Sequence, residues 1–229
     1  MLGFGVAAAA AGLGALAIGV PLGASAFFPL KALLVVELLA VLALPALPTH
    51  GRATFGVANA LTLARAVGVG WIAAFVAEPV AESVVGGLIS ASAFAFWLDW
   101  LDGKVARHRG ESSPFGALLD QELDGLFVLV LCLLAWDLDR TGPWVMVSGA
   151  LRYLFLAAMR VWPWMRRPLP PLERRRFVCG VQIVCLLGCL VPWPVAGLSV
   201  AFAAFGLAAL VGSFGADTVW LVAHRADPA

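Results

Sequence analysis

The chain has 229 residues, of which 62% are apolar and only 13% charged. A soluble domain of this size carries about 25% charge, so the composition excludes an ordinary water-soluble fold and points to an integral membrane protein. A net charge of +1 is too balanced to draw nucleic acid as a partner.

Apolar runs of about 20 residues are long enough to cross a bilayer as helices. Eight are predicted, over 2–24, 28–48, 57–78, 82–106, 114–136, 143–163, 174–192 and 195–222. The first ends near "GASA" at 23–26, which resembles a cleavage site. It lacks a basic leading segment, so it is read as a retained helix whose Ala and Gly suit close packing. Polar stretches separate the runs: "PTHGR" at 48–52, "HRGESSP" at 108–114, "DLDRTGP" at 137–143 and "MRRPLPPLERRR" at 165–176. Cys132, Cys179, Cys185 and Cys189 have no His or Cys partner at zinc spacing and are read as core filler rather than ligands or a disulfide framework. His50, His108 and His224 fall at helix ends and are read as interfacial.

With the amino terminus in the cytoplasm, eleven basic residues fall on that side: Arg52, Lys104, Arg107, Arg109, Arg160, Arg166, Arg167, Arg174, Arg175, Arg176 and Arg225. Lys31 and Arg140 alone fall outside, while Arg65 and Arg152 lie within helices. The outer side collects Glu78, Glu82, Asp137 and Asp139, and tryptophans mark both boundaries. This bias places both termini, and the acidic stretch described next, on the inner face of a cytoplasmic membrane.

Asp99 and Asp102 are three residues apart at the inner end of the fourth run, and Asp120 and Asp124 four apart at the start of the fifth. Each pair shares a helical face. Ser113-Pro114 reads as an N-cap and first helical residue, so the connection is short and the four carboxylates can converge. An uncompensated Asp in mid-membrane costs about 2.5–3.5 kcal/mol on insertion scales, and four together repel. Solvated helix ends balanced by Lys104, Arg107 and Arg109 would explain one such residue, but not four at this spacing. Oxygen-only ligands without histidine favour Mg²⁺ or Mn²⁺ over zinc. Four carboxylates suffice for two such ions about 4 Å apart. Glu122 points to another face and is left out of the site.

The run Asp99-x2-Asp102-Gly103-x2-Ala106-Arg107-x8-Gly116-x3-Asp120-x3-Asp124 resembles the signature of the CDP-alcohol phosphotransferase family at every defining position. "NALTLAR" at 59–65 is similar to the Asn-x2-Thr-x2-Arg pattern of that family's first core helix. The resemblance implies an all-α, polytopic membrane protein: a six-helix core, here within residues 49–229, plus two extra transmembrane helices over 1–48 to which it gives no role. It implies that a CDP-linked lipid, most often CDP-diacylglycerol, is attacked by an alcohol hydroxyl and that CMP leaves. It further implies that Asp99, Asp102 and Asp120 ligate the metal ions, with Asp124 as general base and additional ligand. Gly103 and Ala106 lack bulk and let a nucleotide approach, Arg107 can pair with phosphate or with a carboxylate, and Gly116 continues the acidic stripe. Asn59, Thr62 and Arg65 share a stripe read as contacting the nucleotide or its phosphates. The family also implies a homodimer, with membrane lipids as neighbours.

The acceptor alcohol stays open. Arg160, Arg174 and Arg175, within the cluster from Arg160 to Arg176, can bind a phosphorylated alcohol such as glycerol 3-phosphate; they can equally serve topology and anionic lipid. Arg152 lies inside a span and is expected to pair with Glu37 or Asp217. Three other functions compete: a soluble CDP-alcohol with diacylglycerol as acceptor, a cation transporter using intramembrane carboxylates, and a degenerate scaffold. The clustering of the acids at one face argues against transport, and the intact signature against degeneracy.

Overall fold

A computed structural model of the chain describes residues 2–44, 56–108, 113–167, 169, 173–195 and 197–225, with backbone alone over 102–108 and at 173. Among these residues all regular structure is helical: α1 (Leu2–Leu22), α2 (Phe28–Ala43), α3 (Val57–Ala74), α4 (Glu82–His108), α5 (Pro114–Asp137), α6 (Met146–Val161), α7 (Glu173–Leu190) and α8 (Leu198–Ala223). Short 3₁₀ turns cover Pro143–Val145 and Pro163–Arg166. The eight helices coincide with the eight apolar runs.

Five stretches are long and apolar enough to cross a membrane by length and composition: Leu2–Leu22, Val57–Ala74, Glu82–Leu101, Pro143–Val161 and Leu198–Ala223. The other three helices fall short for physical reasons. The described part of α2 has 16 residues, α5 carries Asp120, Glu122 and Asp124 near its start, and α7 opens on Glu-Arg-Arg-Arg. The protein is an all-α polytopic membrane protein.

The chain divides into two compact units, residues 1–130 and 131–229. In the first, Gly23 of the "GASA" stretch ends α1 in the left-handed region (φ 65°). The amide of Ala24 donates to the Gly19 carbonyl at 3.0 Å, the closure expected of a glycine C-cap. α2 follows with a proline in its first turn, where a missing N–H costs nothing. Ala15, Phe28, Ala32 and Ala74 form a buried cluster, and Phe28 meets Phe75 edge to face at 5.0 Å. The Trp71 indole N–H donates to the Ala11 carbonyl at 3.1 Å.

Small residues let these helices approach: a Cβ on Gly70 would lie 2.6 Å from the Ala32 carbonyl oxygen. A polar clasp fastens the far end of α3. Glu78, just beyond that helix, accepts from the Ser25 amide at 2.9 Å, the Ser25 hydroxyl at 2.6 Å and Lys31 at 2.5 Å. Lys31 also donates to the Val76 carbonyl. Burial alone would raise the Glu78 carboxyl, but the hydrogen bonds from Lys31 and Ser25 outweigh it and hold it down at about 2. The two N-terminal helices are therefore packed and bonded against α3, the helix that carries Asn59, Thr62 and Arg65.

In the second unit α7 and α8 pack through glycines: a Cβ on Gly206 would lie 2.6 Å from Gln182 Oε1, and one on Gly188 would lie 3.0 Å from the Phe202 ring. Arg167 donates to the His224 and Arg225 carbonyls, placing a cation at the negative end of α8. Cys132, Cys185 and Cys189 are buried, as core filler would be, whereas Cys179 is half-buried.

Candidate active site

The site is assembled from three helices of the first unit. Ser113 caps α5: its hydroxyl accepts from the Gly116 amide at 3.0 Å, with Pro114 as the first helical residue. This is the start expected from the sequence, and it sets Asp120 and Asp124 one turn apart on α5. Asp99 comes from the C-terminal half of α4. One ligand oxygen from each of Asp99, Asp120 and Asp124 lies within 4.8 Å of the others, so the predicted convergence is present for these three. Their side chains are 28%, 38% and 26% exposed, which leaves them open to solutes. Asp102, Gly103, Ala106 and Arg107 continue α4 along the same stretch, but their side chains lie outside the described residues.

The third helix supplies the positive charge. Arg65, on α3, donates from Nη1 to Asp99 at 2.6 Å and to Asp120 at 2.9 Å, and from Nη2 to Asp124. Its side chain is 1% exposed. Sequence reasoning placed Arg65 on a functional stripe but aimed it at nucleotide phosphates; its grip on all three carboxylates was not foreseen. The signal that was available is a lone arginine about two turns into an apolar helix, which once buried needs anionic partners.

The rest of the stripe is buried beside it. Asn59 packs against Gly116, where a Cβ would meet its Oδ1 at 2.7 Å. The Thr62 hydroxyl donates to the Ala58 carbonyl of its own helix at 3.1 Å. Asn59 and Gly116 are thus brought together with the carboxylate helices. Glu122, which the sequence left aside, is buried in α5.

A donor set made only of carboxylate oxygens at this separation suits a hard divalent cation. Three anions gathered in so small a space, facing one fixed guanidinium, leave a surplus of negative charge for such an ion to neutralise.

Arg174 and Arg175 lie in the second unit and converge on Asp217 of α8, at 2.6 Å and 2.8 Å. One of the two acids considered for Arg152 is therefore engaged by two other arginines. Arg160, at the end of α6, is exposed.

Comparison with known proteins decides the family. The family model described as CDP-alcohol phosphatidyltransferase matches residues 55–214. The chain belongs to that family. Among curated members, it is 33% identical over 120 residues to a cardiolipin synthase (CMP-forming) of Oryza sativa subsp. japonica, an alignment covering 44% of this chain and 36% of that protein. It is 38% identical over 76 residues to a CDP-diacylglycerol–glycerol-3-phosphate 3-phosphatidyltransferase of Pseudomonas fluorescens, covering 32% of this chain and 38% of that one. The chain thus spans little more than a third of the length of either curated relative. No solved structure matches it. The matched span takes in Asn59, Arg65 and all four aspartates of the signature.

Proposed function

We propose that this protein transfers a phosphatidyl group from CDP-diacylglycerol to an alcohol, releasing CMP. The observation that carries the reading is the convergence of Asp99, Asp120 and Asp124 from two helices, in a chain whose family handles CDP-alcohols. The relatives' names, a CMP-forming cardiolipin synthase and a glycerol-3-phosphate phosphatidyltransferase, support the same reaction class. Residues 49–229 form the catalytic domain in this reading, and 1–48 an added pair of helices that support it.

Asp99, Asp102, Asp120 and Asp124 would hold two divalent cations, Mg²⁺ or Mn²⁺, whose charge would offset the negative charge that grows on the departing CMP. The chain's own residues do the rest. Asn59, Thr62, Gly103, Ala106, Arg107 and Gly116 form the bed for the CDP moiety, with small residues letting it close on the backbone. The acceptor oxygen attacks the phosphorus that bears the diacylglycerol, and the bond from that phosphorus to the CMP oxygen breaks. Asp124 takes the proton from the attacking hydroxyl; as a side chain about one quarter exposed, it is open to the acceptor. Arg160, Arg174 and Arg175 receive an anionic group on the acceptor. Two guanidiniums on the single Asp217 carboxylate leave positive charge for a phosphate. Both termini and the site face the cytoplasm of a bacterial-type inner membrane, the protein working as a homodimer.

Purified protein incubated with radiolabelled CDP-diacylglycerol and a panel of alcohols, including glycerol 3-phosphate, tests this reading. CMP release that stops in EDTA and returns with Mg²⁺ or Mn²⁺ is expected. Release that persists in EDTA, or no release with any alcohol, overturns it.

A further inference from the structure

We infer that Arg65 is the built-in counterion of the aspartate site. Its guanidinium holds Asp99, Asp120 and Asp124 together before a divalent cation arrives, and competes with that cation once it binds. The inference rests on the reading of these aspartates as metal ligands and adds a positioning residue that the signature does not contain.

Three carboxylates with oxygens within 4.8 Å of one another repel. Left alone they would turn apart. Arg65 removes that option. Its guanidinium stays charged at any accessible pH, and its planar fork offers several N–H groups at fixed angles. One nitrogen serves Asp99 and Asp120, and the other serves Asp124. The three acids come from α4 and α5, whereas Arg65 reaches them from α3. The clamp therefore joins three helices at the point where the ligands must meet.

Two observations argue that the clamp is held in place rather than incidental. The Arg65 side chain is 1% exposed, so it has no solvent-facing alternative of the kind a surface pair has. α3 is itself fixed from behind by α1 and α2, through Trp71 on Ala11 and Gly70 against Ala32. A charge so placed has opposite effects on metal binding. It pre-forms the ligand set, yet it sits where a cation's charge must be accommodated. The arginine keeps a metal-free site intact at the expense of affinity.

The test uses the purified full chain in detergent with Mn²⁺ alone as probe, reading calorimetric affinity and the Tm in EDTA and in saturating Mn²⁺. For Arg65→Met we expect Mn²⁺ to bind roughly tenfold more tightly, since a unit positive charge has left the site. We also expect a Tm well below wild type in EDTA that recovers largely in Mn²⁺. Unchanged Mn²⁺ affinity, or the same Tm deficit with and without Mn²⁺, would mean a merely structural ion pair and would overturn the inference. Arg65→Lys keeps the charge but not the fork, and serves if the Met variant does not fold. Its expected signature is near-normal Mn²⁺ affinity with a Tm deficit confined to EDTA; a deficit that Mn²⁺ leaves untouched overturns the proposal. Wild-type protein that binds no Mn²⁺, with Asp120→Asn equally silent, sinks the metal-ligand reading and this inference with it. Wild type that binds Mn²⁺ while Arg65→Met matches it sinks the counterion alone.

Discussion

Gly116 on α5 faces Asn59 on α3 so closely that a Cβ there would lie 2.7 Å from Asn59 Oδ1 and 3.2 Å from Ser113 Oγ. Only a hydrogen fits between the capped start of α5 and the buried amide. Gly116→Ala should gain about 0.5–1 kcal/mol of helix propensity, offset by the need to displace Asn59 or the Ser113 cap. We expect the Tm to move by a few degrees at most. CMP release should nevertheless fall on the order of 10²-fold, as expected when a site shifts by about an ångström. Normal turnover in Gly116→Ala would show that Asn59 has no part in the substrate bed.

Asp120 and Asp124 share a face of α5, and both accept from Arg65, yet their proposed duties differ. An amide at position 124 cannot take up the acceptor's proton. Asp124→Asn should therefore cost about 10²–10⁴-fold in turnover while CDP-lipid binding largely persists. Asp120→Asn should weaken Mn²⁺ binding first, with turnover lost as a consequence. Equilibrium binding of CDP-diacylglycerol and of Mn²⁺ to both variants separates the roles. Loss of Mn²⁺ binding in Asp124→Asn would make that residue a ligand before it is a base.

Hydrophobic runs alone sufficed to locate the helices, because a chain in lipid must satisfy its backbone within each segment. The spacing of Asp99, Asp120 and Asp124 was legible for a related reason: carboxylates are too costly near a membrane to be scattered without purpose. What spacing did not reveal was the partner. Arg65 is separated by 34 residues from Asp99 and 59 from Asp124, and nothing local in α3 says which helices it will face. The Glu78 clasp was hidden in the same way. Glu78 was read as one of several acids on the outer side, while its bonds to Ser25 and Lys31 depend on how the α1–α2 turn folds back on the end of α3.

That clasp carries a pH dependence. The Glu78 carboxyl is held from an ordinary value of 4.5 down to about 2 by its bonds to Lys31 and Ser25. A carboxyl depressed in the folded state adds stability that is complete above about pH 4.5 and is lost as the pH falls through about 2. Glu78→Gln should be less stable than wild type at neutral pH, and the gap should narrow as the pH falls through that window. Thermal unfolding of both proteins in the same detergent, from pH 7 downward, isolates Glu78 from the other acids, which titrate in both. A gap that is constant down to pH 2 would mean that the charge of Glu78 contributes nothing.

Gly70 and Gly68 offer a paired test of how the N-terminal helices support α3. A Cβ on Gly70 would lie 2.6 Å from the backbone oxygen of Ala32 on α2, whereas one on Gly68 meets nothing within 4 Å. Both glycines lie inside α3, so alanine improves helix propensity equally at each. Gly68→Ala should be neutral or slightly stabilising. Gly70→Ala must push α2 away, because a carbonyl oxygen within a helix cannot swing aside as a side chain does, and overpacking of this kind costs about 1–3 kcal/mol. Arg65 lies five residues before Gly70 on the same helix, so CMP release should fall in Gly70→Ala and not in Gly68→Ala. If α1 and α2 were an independent appendage, Gly70→Ala would lose stability without losing turnover. That result would separate the two helices from the proposed catalytic machinery.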